Sequence, residues 1–299
     1  MKIARFFRAT LLDPSKGLDA VGVLRRLACL SFINRFGRSA ITAPSGPVVS
    51  LTTYGERFKT VYLVIESIGR GEITPSRVIL WLDDEALYDK PPASIKRLKR
   101  RGLEVKLTRN YGPHTKYYPY IQSQEFFIEP LVTADDDMLY PRYWLKKLTE
   151  AFRENPAVVN CYRARRITLG ENGIGPYHEW GLCASTEANV CHFGTGVSGI
   201  IYPPSLQRLL KQAGDEFRKC CPKADDVWLH VQALRAGYKV RQIEPEAVHF
   251  PMLPGTQEAG LFRRNVLHED GNDQQVRKTY EQADIDILRQ QSADPGVMR

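Results

Sequence analysis

The alternation of short apolar runs with helix-like segments between residues 48 and 164 constrains the fold more than any other feature of the sequence. The predicted strands are residues 48–54, 78–82, 103–107, 131–134 and 158–164, and the predicted helices are residues 59–69, 94–101, 121–127 and 142–155. Nearly all-apolar strands are typical of a buried parallel sheet. Their alternation with helices indicates an α/β doubly wound, mostly parallel sheet flanked by helices.

The regularity weakens after about residue 170, where glycine, proline, histidine and tryptophan become frequent. Helices are still predicted at 206–213 and 225–236, a strand at 239–243, and a C-terminal helix at about 274–291. We assign these elements to the same domain.

The positive charge of the chain is concentrated at its start. The net charge is +8, and residues 1–38 carry eight basic and two acidic side chains. The remainder is nearly neutral, which is not the pattern of a nucleic-acid-binding domain. Apolar residues recur at helical spacing in the first 40 residues with basic residues between them, which predicts an amphipathic helix. Such a helix either lies on an anionic membrane surface or packs on the domain with its arginines in solvent.

The six cysteines include no C-x-x-C pair, which argues against zinc and for reduced thiols in the cytoplasm. Asp13-Pro14 and Arg25-Arg26 interrupt the two N-terminal apolar stretches. Neither a secretory signal nor a membrane span is therefore expected.

Three consecutive carboxylates, Asp135, Asp136 and Asp137, follow a buried strand and precede a helix. In open α/β sheets ligands bind at this edge. The carboxylates repel one another unless a cation lies among them, and a divalent cation that bridges two phosphates is the usual solution. The alternative is that they cap the following helix, which accounts for one aspartate better than for three.

This strand, D-x-D and helix order, after a three-strand lead-in, resembles the GT-A fold of nucleotide-sugar glycosyltransferases, in particular the bacterial family-2-like enzymes. Residues 48–58 (VVSLTTYGERF) are similar to the first strand and nucleoside loop of that family, residues 78–85 (VILWLDDE) to its second strand, and residues 110–120 (NYGPHTKYYPY) to its G-x-x-T-K loop. The resemblance covers about residues 48–250. It implies a nucleotide-sugar-binding half at 47–165, an acceptor-binding and catalytic half at 166–273, and a C-terminal helix and tail at 274–299, behind the basic segment 1–40.

For the acidic triplet, the resemblance implies that Asp135 holds the ribose or base and assists the metal. It implies that Asp137 binds the metal, Mn²⁺ or Mg²⁺, which neutralises the diphosphate. Asp136 would point away or contact the donor through water.

Four further donor-side residues follow from the same resemblance. Thr52, Tyr54 and Arg57 lie at the first strand end and its loop, with Arg57 expected at the base or phosphate. Lys116 would face the diphosphate as a point charge. Surface ion pairs are the alternative for Arg57 and Lys116. His249, after the last strand, is either an additional metal ligand or a core histidine.

On the acceptor side, Asp225 and Asp226 open a predicted helix. The resemblance implies that Asp226 is the general base of an inverting displacement, with Asp225 beside it; helix capping is the alternative. Residues 194–199 match G-x-G-x-x-G but precede a strand, so a dinucleotide site is excluded. The resemblance implies that this segment lines the sugar and acceptor side of the cleft, with Gly196 as a further donor-binding residue; a tight turn is the alternative. Trp180 is expected to stack on the acceptor sugar or to fill the domain edge.

Together these features predict a metal-dependent glycosyltransferase that uses a nucleotide-sugar, first of all a UDP-sugar. Its acceptor would be a glycan or lipid-linked molecule of bacterial surface polysaccharide synthesis. The enzyme would be cytoplasmic, at the inner face of the plasma membrane, with no nucleic-acid partner. Two alternatives remain open, a metal-dependent nucleotidyltransferase and a non-catalytic glycan- or membrane-binding module. The first rival usually has a glycine- and arginine-rich loop after its first strand, which residues 52–57 lack.

Overall fold

The computed structural model describes residues 14–171, 173–254 and 271–292. The strands in these ranges are β1 (Val48–Thr52), β2 (Arg77–Leu82), β3 (Leu103–Leu107), β4 (Leu131–Thr133), β5 (Val158–Cys161), β6 (Ala164–Arg166), β7 (Leu169–Gly170), β8 (Gly173–Ile174), β9 (His192–Gly194), β10 (Ile200–Tyr202) and β11 (Lys239–Gln242). The helices are α1 (Pro14–Phe36), α2 (Val61–Gly69), α3 (Glu85–Asp89), α4 (Ala93–Lys99), α5 (Tyr118–Ser123), α6 (Trp144–Glu154), α7 (Pro204–Ala213), α8 (Phe217–Cys220), α9 (Asp225–Arg235), α10 (Gly271–Thr279) and α11 (Gln282–Ser292).

The central sheet has seven strands in the order β11-β5-β10-β4-β1-β2-β3. Six strands run parallel, and β10 runs antiparallel to its neighbours β4 and β5. The chain proceeds from β1 to β2 and β3 on one side and then crosses back to β4 on the other. The connection after β1 leads to a strand on one side and the connection after β4 to a strand on the other. This part of the carboxyl edge is therefore a topological switch point, the place where folds of this kind have a crevice that binds ligands.

Both faces of the sheet are covered by apolar layers, because successive side chains of each strand point to opposite faces. Val49 and Leu51 of β1 pack with buried residues of α2 and α6. Val48 of the same strand belongs to the other layer, which includes Ile121 of α5 and Trp228 of α9. This arrangement is the predicted doubly wound sheet.

Helix α1 packs its inward face on the domain. Leu30 is buried, and the side-chain amide of Asn34 donates to Glu66 Oε1 at 3.0 Å. Glu66 is itself fully buried in α2 and pairs with Arg101 at 2.6 Å. The packing interpretation thus holds for this face, whereas the outward face exposes Val21, Phe32 and Phe36. The first part of the predicted segment, residues 1–13, lies outside the described residues.

No helix among the described residues has the length and apolar content needed to cross a bilayer. The six cysteines are free thiols.

Two predicted helices differ from the structure. The helix expected at 121–127 is α5, which begins at Tyr118 with Pro119 in its first turn and ends at Ser123, because Gln124 is extended. The single C-terminal helix expected at 274–291 is interrupted between α10 and α11. At that break Tyr280 is buried, and its hydroxyl hydrogen-bonds His230 Nδ1 at 2.7 Å.

Candidate active site

The loop after β1 contacts the acidic triplet after β4. Thr53 Oγ1 donates to Asp136 Oδ2 at 2.6 Å, and Arg57 Nη1 donates to Asp136 Oδ1 at 2.8 Å. The other terminal nitrogen of Arg57 lies 3.0 Å from Asp137 Oδ2. One guanidinium therefore bridges two adjacent carboxylates, and the short 3₁₀ turn Gly55–Lys59 places it there because β1 and β4 are neighbours in the sheet.

The triplet does not cap the following helix. Helix α6 begins at Trp144 with Tyr143 at its N-cap position. Burial raises the pKa of Asp137 to about 7, with a further increase from the charge of Asp135 and an opposing effect from Arg57. Burial also raises the pKa of Asp136. A further positive charge next to these carboxylates, in addition to Arg57, would therefore stabilise their ionised form.

Lys116 connects this triplet to the second acidic pair. Its Nζ lies 3.3 Å from Asp135 Oδ1 and 3.0 Å from Asp225 Oδ2. Ser50 Oγ in β1 donates to the backbone carbonyl of Lys116 at 2.7 Å, which fixes the 3₁₀ turn Gly112–Lys116 against the sheet. The side chains of Lys116 and Arg57 are only 12% and 13% exposed, so these are internal ion pairs and not surface ones.

His114 holds the same turn against the loop before α9. Its Nε2 lies 2.8 Å from the carbonyl oxygen of Cys221, its Nδ1 lies 2.8 Å from the hydroxyl of Tyr117, and its ring stacks on Phe217 at 3.8 Å. Burial lowers the pKa of His114 to about 4, so the imidazole is neutral at pH 7. His114 belongs to no motif of its own, and its contacts with Cys221 and Phe217 join residues about a hundred positions apart, so the sequence does not indicate its role.

The second acidic pair lies at the start of α9, where Ala224 occupies the N-cap position. The backbone N–H of Gly196 donates to Asp226 Oδ1 at 3.0 Å. Burial raises the pKa of Asp226 to about 7, and the charge of Asp225 raises it further, whereas Lys116 and the Gly196 N–H oppose the increase. Such a carboxylate can accept a proton near neutral pH.

Position 196 requires glycine because two side chains lie close to its backbone. A Cβ at this position would lie 2.8 Å from Lys116 Nζ and 3.1 Å from Asp226 Oδ1. The segment 194–199 joins β9 to β10 as a turn, with φ of +100° at Gly199, where a Cβ would also contact the Trp144 indole at 2.8 Å. This agrees with the exclusion of a dinucleotide site.

Three other predicted residues lie in different surroundings. Thr52 Oγ1 donates to the carbonyl of Trp81 at 3.1 Å, so it secures the sheet edge. Tyr54 is exposed at the rim, with its ring centroid 5.5 Å from Arg57 Cζ. Trp180 is fully buried, and its Nε1 donates to the Gly175 carbonyl at 2.9 Å. The structure corrects the acceptor assignment of Trp180, because an indole packed in the core has no face open to a sugar.

His249 is exposed, and its Nδ1 lies 3.0 Å from the carbonyl of Phe250. The segment that follows it runs beside the acidic triplet, with Leu253 N donating to Asp137 O at 2.7 Å. Within the described ranges, no three side chains of His, Cys, Asp or Glu are grouped as a metal site. Asp135 and Asp137 offer carboxylate oxygens, the ligands that hard divalent cations prefer, and a bound diphosphate would have to supply others.

Comparison with known proteins shows the fold. No family model matches the chain, and no curated protein matches it. Among solved structures, a mannosyltransferase from Pyrobaculum calidifontis in complex with GDP-Man and Mn²⁺ is 16% identical, with a TM-score of 0.51, covering 91% of this chain and 78% of that chain. S. aureus TarS is 16% identical with a TM-score of 0.44, covering 81% of this chain and 68% of that chain. A CMP:2-keto-3-deoxy-manno-octonic acid synthetase complexed with CTP is 13% identical with a TM-score of 0.41, covering 66% of this chain and 88% of that chain. The first likeness confirms the predicted fold: a mixed α/β, GT-A-like architecture with a mostly parallel sheet flanked by helices.

Proposed function

We propose that this protein is a glycosyltransferase that moves a sugar from a nucleotide-sugar to a hydroxyl group of a glycan or lipid-linked acceptor. The observation that carries the proposal is the convergence of two acidic groups, Asp135–Asp137 and Asp225–Asp226, on Lys116 at the switch point of the sheet. Sugar transfer needs a charged site for a diphosphate and, a few ångströms away, a base for the acceptor. Both kinds of group are present at this edge.

On the donor side, Arg57 and Lys116 are the cations that face the diphosphate, because both lie at the crevice and both are held by carboxylates. The exposed ring of Tyr54 at the rim suits stacking on the nucleobase. Asp135, with its side chain 25% exposed, is the carboxylate open to the ribose. Asp136 is 4% exposed and is occupied by Thr53 and Arg57, so it orients Arg57 and does not contact the donor itself.

The donor set also fits a divalent metal ion. On the donor side, the three carboxylates of Asp135, Asp136 and Asp137 face Arg57 and Lys116, and Lys116 is shared with Asp225, which leaves negative charge for a further cation. Asp137 would hold Mn²⁺ or Mg²⁺ with help from Asp135, and His249 is the third candidate ligand. When bound, the metal supplies positive charge that stabilises the departing diphosphate. The mannosyltransferase neighbour contains Mn²⁺, which supports this choice.

Asp226 is the proposed base. It takes the proton of the acceptor hydroxyl, whose oxygen forms a bond to the anomeric carbon while the bond from that carbon to the diphosphate oxygen breaks. The nucleoside diphosphate leaves on the opposite side, which inverts the configuration. The Gly196 N–H orients Asp226, and Asp225 holds Lys116 between the base and the donor carboxylates.

The outward face of α1 supports a peripheral membrane location on the cytoplasmic side. Val21, Arg25, Phe32, Arg35 and Phe36 are exposed along it, and the rings of Phe32 and Phe36 are in contact, with centroids 4.7 Å apart. Apolar and basic side chains with no acidic residue among them suit an anionic bilayer. Replacing both phenylalanines with serine should abolish binding to anionic vesicles while the inward face keeps α1 folded. Unchanged vesicle binding would contradict the proposed location.

The function is tested by nucleotide release from UDP-sugars and GDP-mannose with Mn²⁺ or with excess EDTA. Slow, metal-dependent hydrolysis of one donor, lost in Asp137→Ala, is the expected result. If instead the protein releases pyrophosphate from a nucleoside triphosphate and a sugar 1-phosphate, it is a nucleotidyltransferase. If no nucleotide binds, the binding-module alternative replaces both enzymes.

A further inference from the structure

Two arginines lie beside the proposed base. Arg163 immediately precedes β6, and Arg165 lies within it, so their side chains leave the extended backbone on the same side. The N–H of Thr195 donates to the Arg163 carbonyl at 3.0 Å, and Arg163 Nη1 donates to Thr195 Oγ1 at 3.1 Å. The next residue, Gly196, is the one that binds Asp226. Arg163 therefore pairs with the residue directly before Gly196, whose N–H binds the base.

Among the described residues, neither arginine forms a salt bridge with a carboxylate. Within residues 14–171, 173–254 and 271–292, the side-chain contacts of Arg163 and Arg165 are with Thr195, with the backbone carbonyl of Trp180 and with the face of Tyr177. Burial lowers the pKa of Arg163, and the like charge of Arg165 lowers it further, whereas Tyr177 and the nearby charge of Asp226 oppose the decrease. Two half-buried guanidinium groups that repel each other are costly unless an anion lies between them.

Tyr177 packs against this pair of arginines. The Arg165 guanidinium lies over its ring at 5.2 Å, and the Tyr177 backbone N–H donates to Asp273 Oδ1 at 2.6 Å, which anchors it to α10. Burial raises the pKa of Tyr177 to about 12, and the charge of Asp226 raises it further, so the phenol is neutral at pH 7.

We infer that Arg163 and Arg165 bind an oxyanion, a carboxylate or a phosphate, carried by the acceptor next to the hydroxyl that is glycosylated. Arginine binds such anions through two parallel hydrogen bonds, and two neighbouring guanidinium groups offer the positive charge that an oxyanion neutralises. The acceptor is thus an acidic or phosphorylated glycan. This inference rests on the proposed function, because it assigns the acceptor side of the same cleft.

The test is a titration of the full chain, followed by nuclear magnetic resonance, with glucose, glucuronate and glucose 6-phosphate. The two anionic probes should bind the wild type more tightly than glucose does. The variant R163Q/R165Q should bind them at least ~10-fold more weakly, as expected for lost charge-assisted hydrogen bonds. The variant R166Q is the matched control, because Arg166 is an exposed arginine of the same strand, and it should bind them as the wild type does. The comparison of glucuronate with glucose 6-phosphate identifies which oxyanion the site prefers.

A second variant, R163K/R165K, keeps both charges but loses the two parallel hydrogen bonds of arginine, so its anion affinity should lie between those of the wild type and R163Q/R165Q. Equal affinity for all three sugars, no anion binding by the wild type, or unchanged anion binding by R163Q/R165Q would each overturn the inference. Nucleoside diphosphate binding with Mn²⁺ is measured on the same samples. Nucleotide binding without anion binding would contradict only the acceptor assignment. Anion binding without nucleotide binding would contradict the proposed function.

Discussion

The two acidic groups of the crevice differ in how their charge is balanced. Asp136 and Asp137 share one planar guanidinium, that of Arg57, in two ion pairs of 2.8 and 3.0 Å. Asp226 receives a backbone N–H at 3.0 Å, and the nearby ammonium of Lys116 pairs with Asp225 instead. The first group is built to hold positive charge in place. In the second, a backbone N–H and not a guanidinium orients Asp226, which leaves this carboxylate open to take a proton. Its pKa of about 7 suits a base, although burial raises the pKa of Asp137 to about 7 as well.

The largest expected effect comes from removing the base. Asp226→Asn should lower the rate of transfer by ~10²–10⁴-fold, the usual contribution of general base catalysis, and leave nucleotide binding unchanged. Steady-state transfer and nucleotide titration measure the two. Asp215→Asn, at an exposed aspartate that pairs with Arg218, is the control. A near-normal rate of transfer by Asp226→Asn would contradict the assignment of Asp226 as the base.

Removing the guanidinium tests the other group. Arg57→Met leaves Asp136 buried without its ion pair and should lower the free energy of unfolding by roughly 3–5 kcal/mol, as for other broken buried pairs. Urea unfolding measures this loss. Arg241→Met breaks the more exposed pair with Glu154 and should cost about 1 kcal/mol or less. Equal losses in the two variants would show that the triplet does not depend on Arg57.

A smaller change sharpens the geometry of the second group. Gly196→Ala places a Cβ 2.8 Å from Lys116 Nζ and 3.1 Å from Asp226 Oδ1, and the displaced base should lower kcat by roughly 10- to 100-fold. Gly181→Ala adds the same methyl group where no heavy atom lies within 4 Å and should leave kcat unchanged. Similar kcat values in both variants would mean that Gly196 is only a turn residue.

The smallest expected effects are two opposite shifts of the pH profile. The base acts when it is deprotonated, so the rate should fall as the pH decreases below the pKa of Asp226, about 7. Lys116→Met removes a charge that lowers this pKa and should move the profile to higher pH. Asp225→Asn removes a charge that raises it and should move the profile to lower pH, each by roughly one unit. Shifts of the same sign would contradict the electrostatic account of Asp226.

The sequence predicted the regular part of the molecule best. Buried parallel strands are continuous apolar runs, so β1, β2 and β3 were expected within two residues of where they lie, and the acidic groups followed because each stands next to such an element. His114 was missed because its role depends on the Cys221 carbonyl, 107 residues away. Arg163 and Arg165 carried no motif, and only the pairing of β6 with β9 brings them to the base.

For Trp180, the local composition indicated a role that its burial excludes. An aromatic residue in an irregular, glycine-rich stretch has the composition of a sugar-binding site, but burial is a property of the whole fold. Here Phe193 of β9 and Tyr177 pack against the indole, with ring centroids 5.1 and 4.9 Å away. The C-terminal helix was likewise predicted as one unit, because the hydrogen bond between Tyr280 and His230 that accompanies its interruption joins distant parts of the chain.

The most direct test of the central claim is a calorimetric titration of UDP and GDP into the wild type, Asp137→Ala and Asp226→Asn, each with Mn²⁺ and with excess EDTA. We expect one nucleotide to bind the wild type and Asp226→Asn equally in Mn²⁺, and we expect EDTA or Asp137→Ala to abolish this binding. Binding that is unchanged in Asp137→Ala, or lost in Asp226→Asn, would contradict the division of the crevice into a charge-holding group and a base.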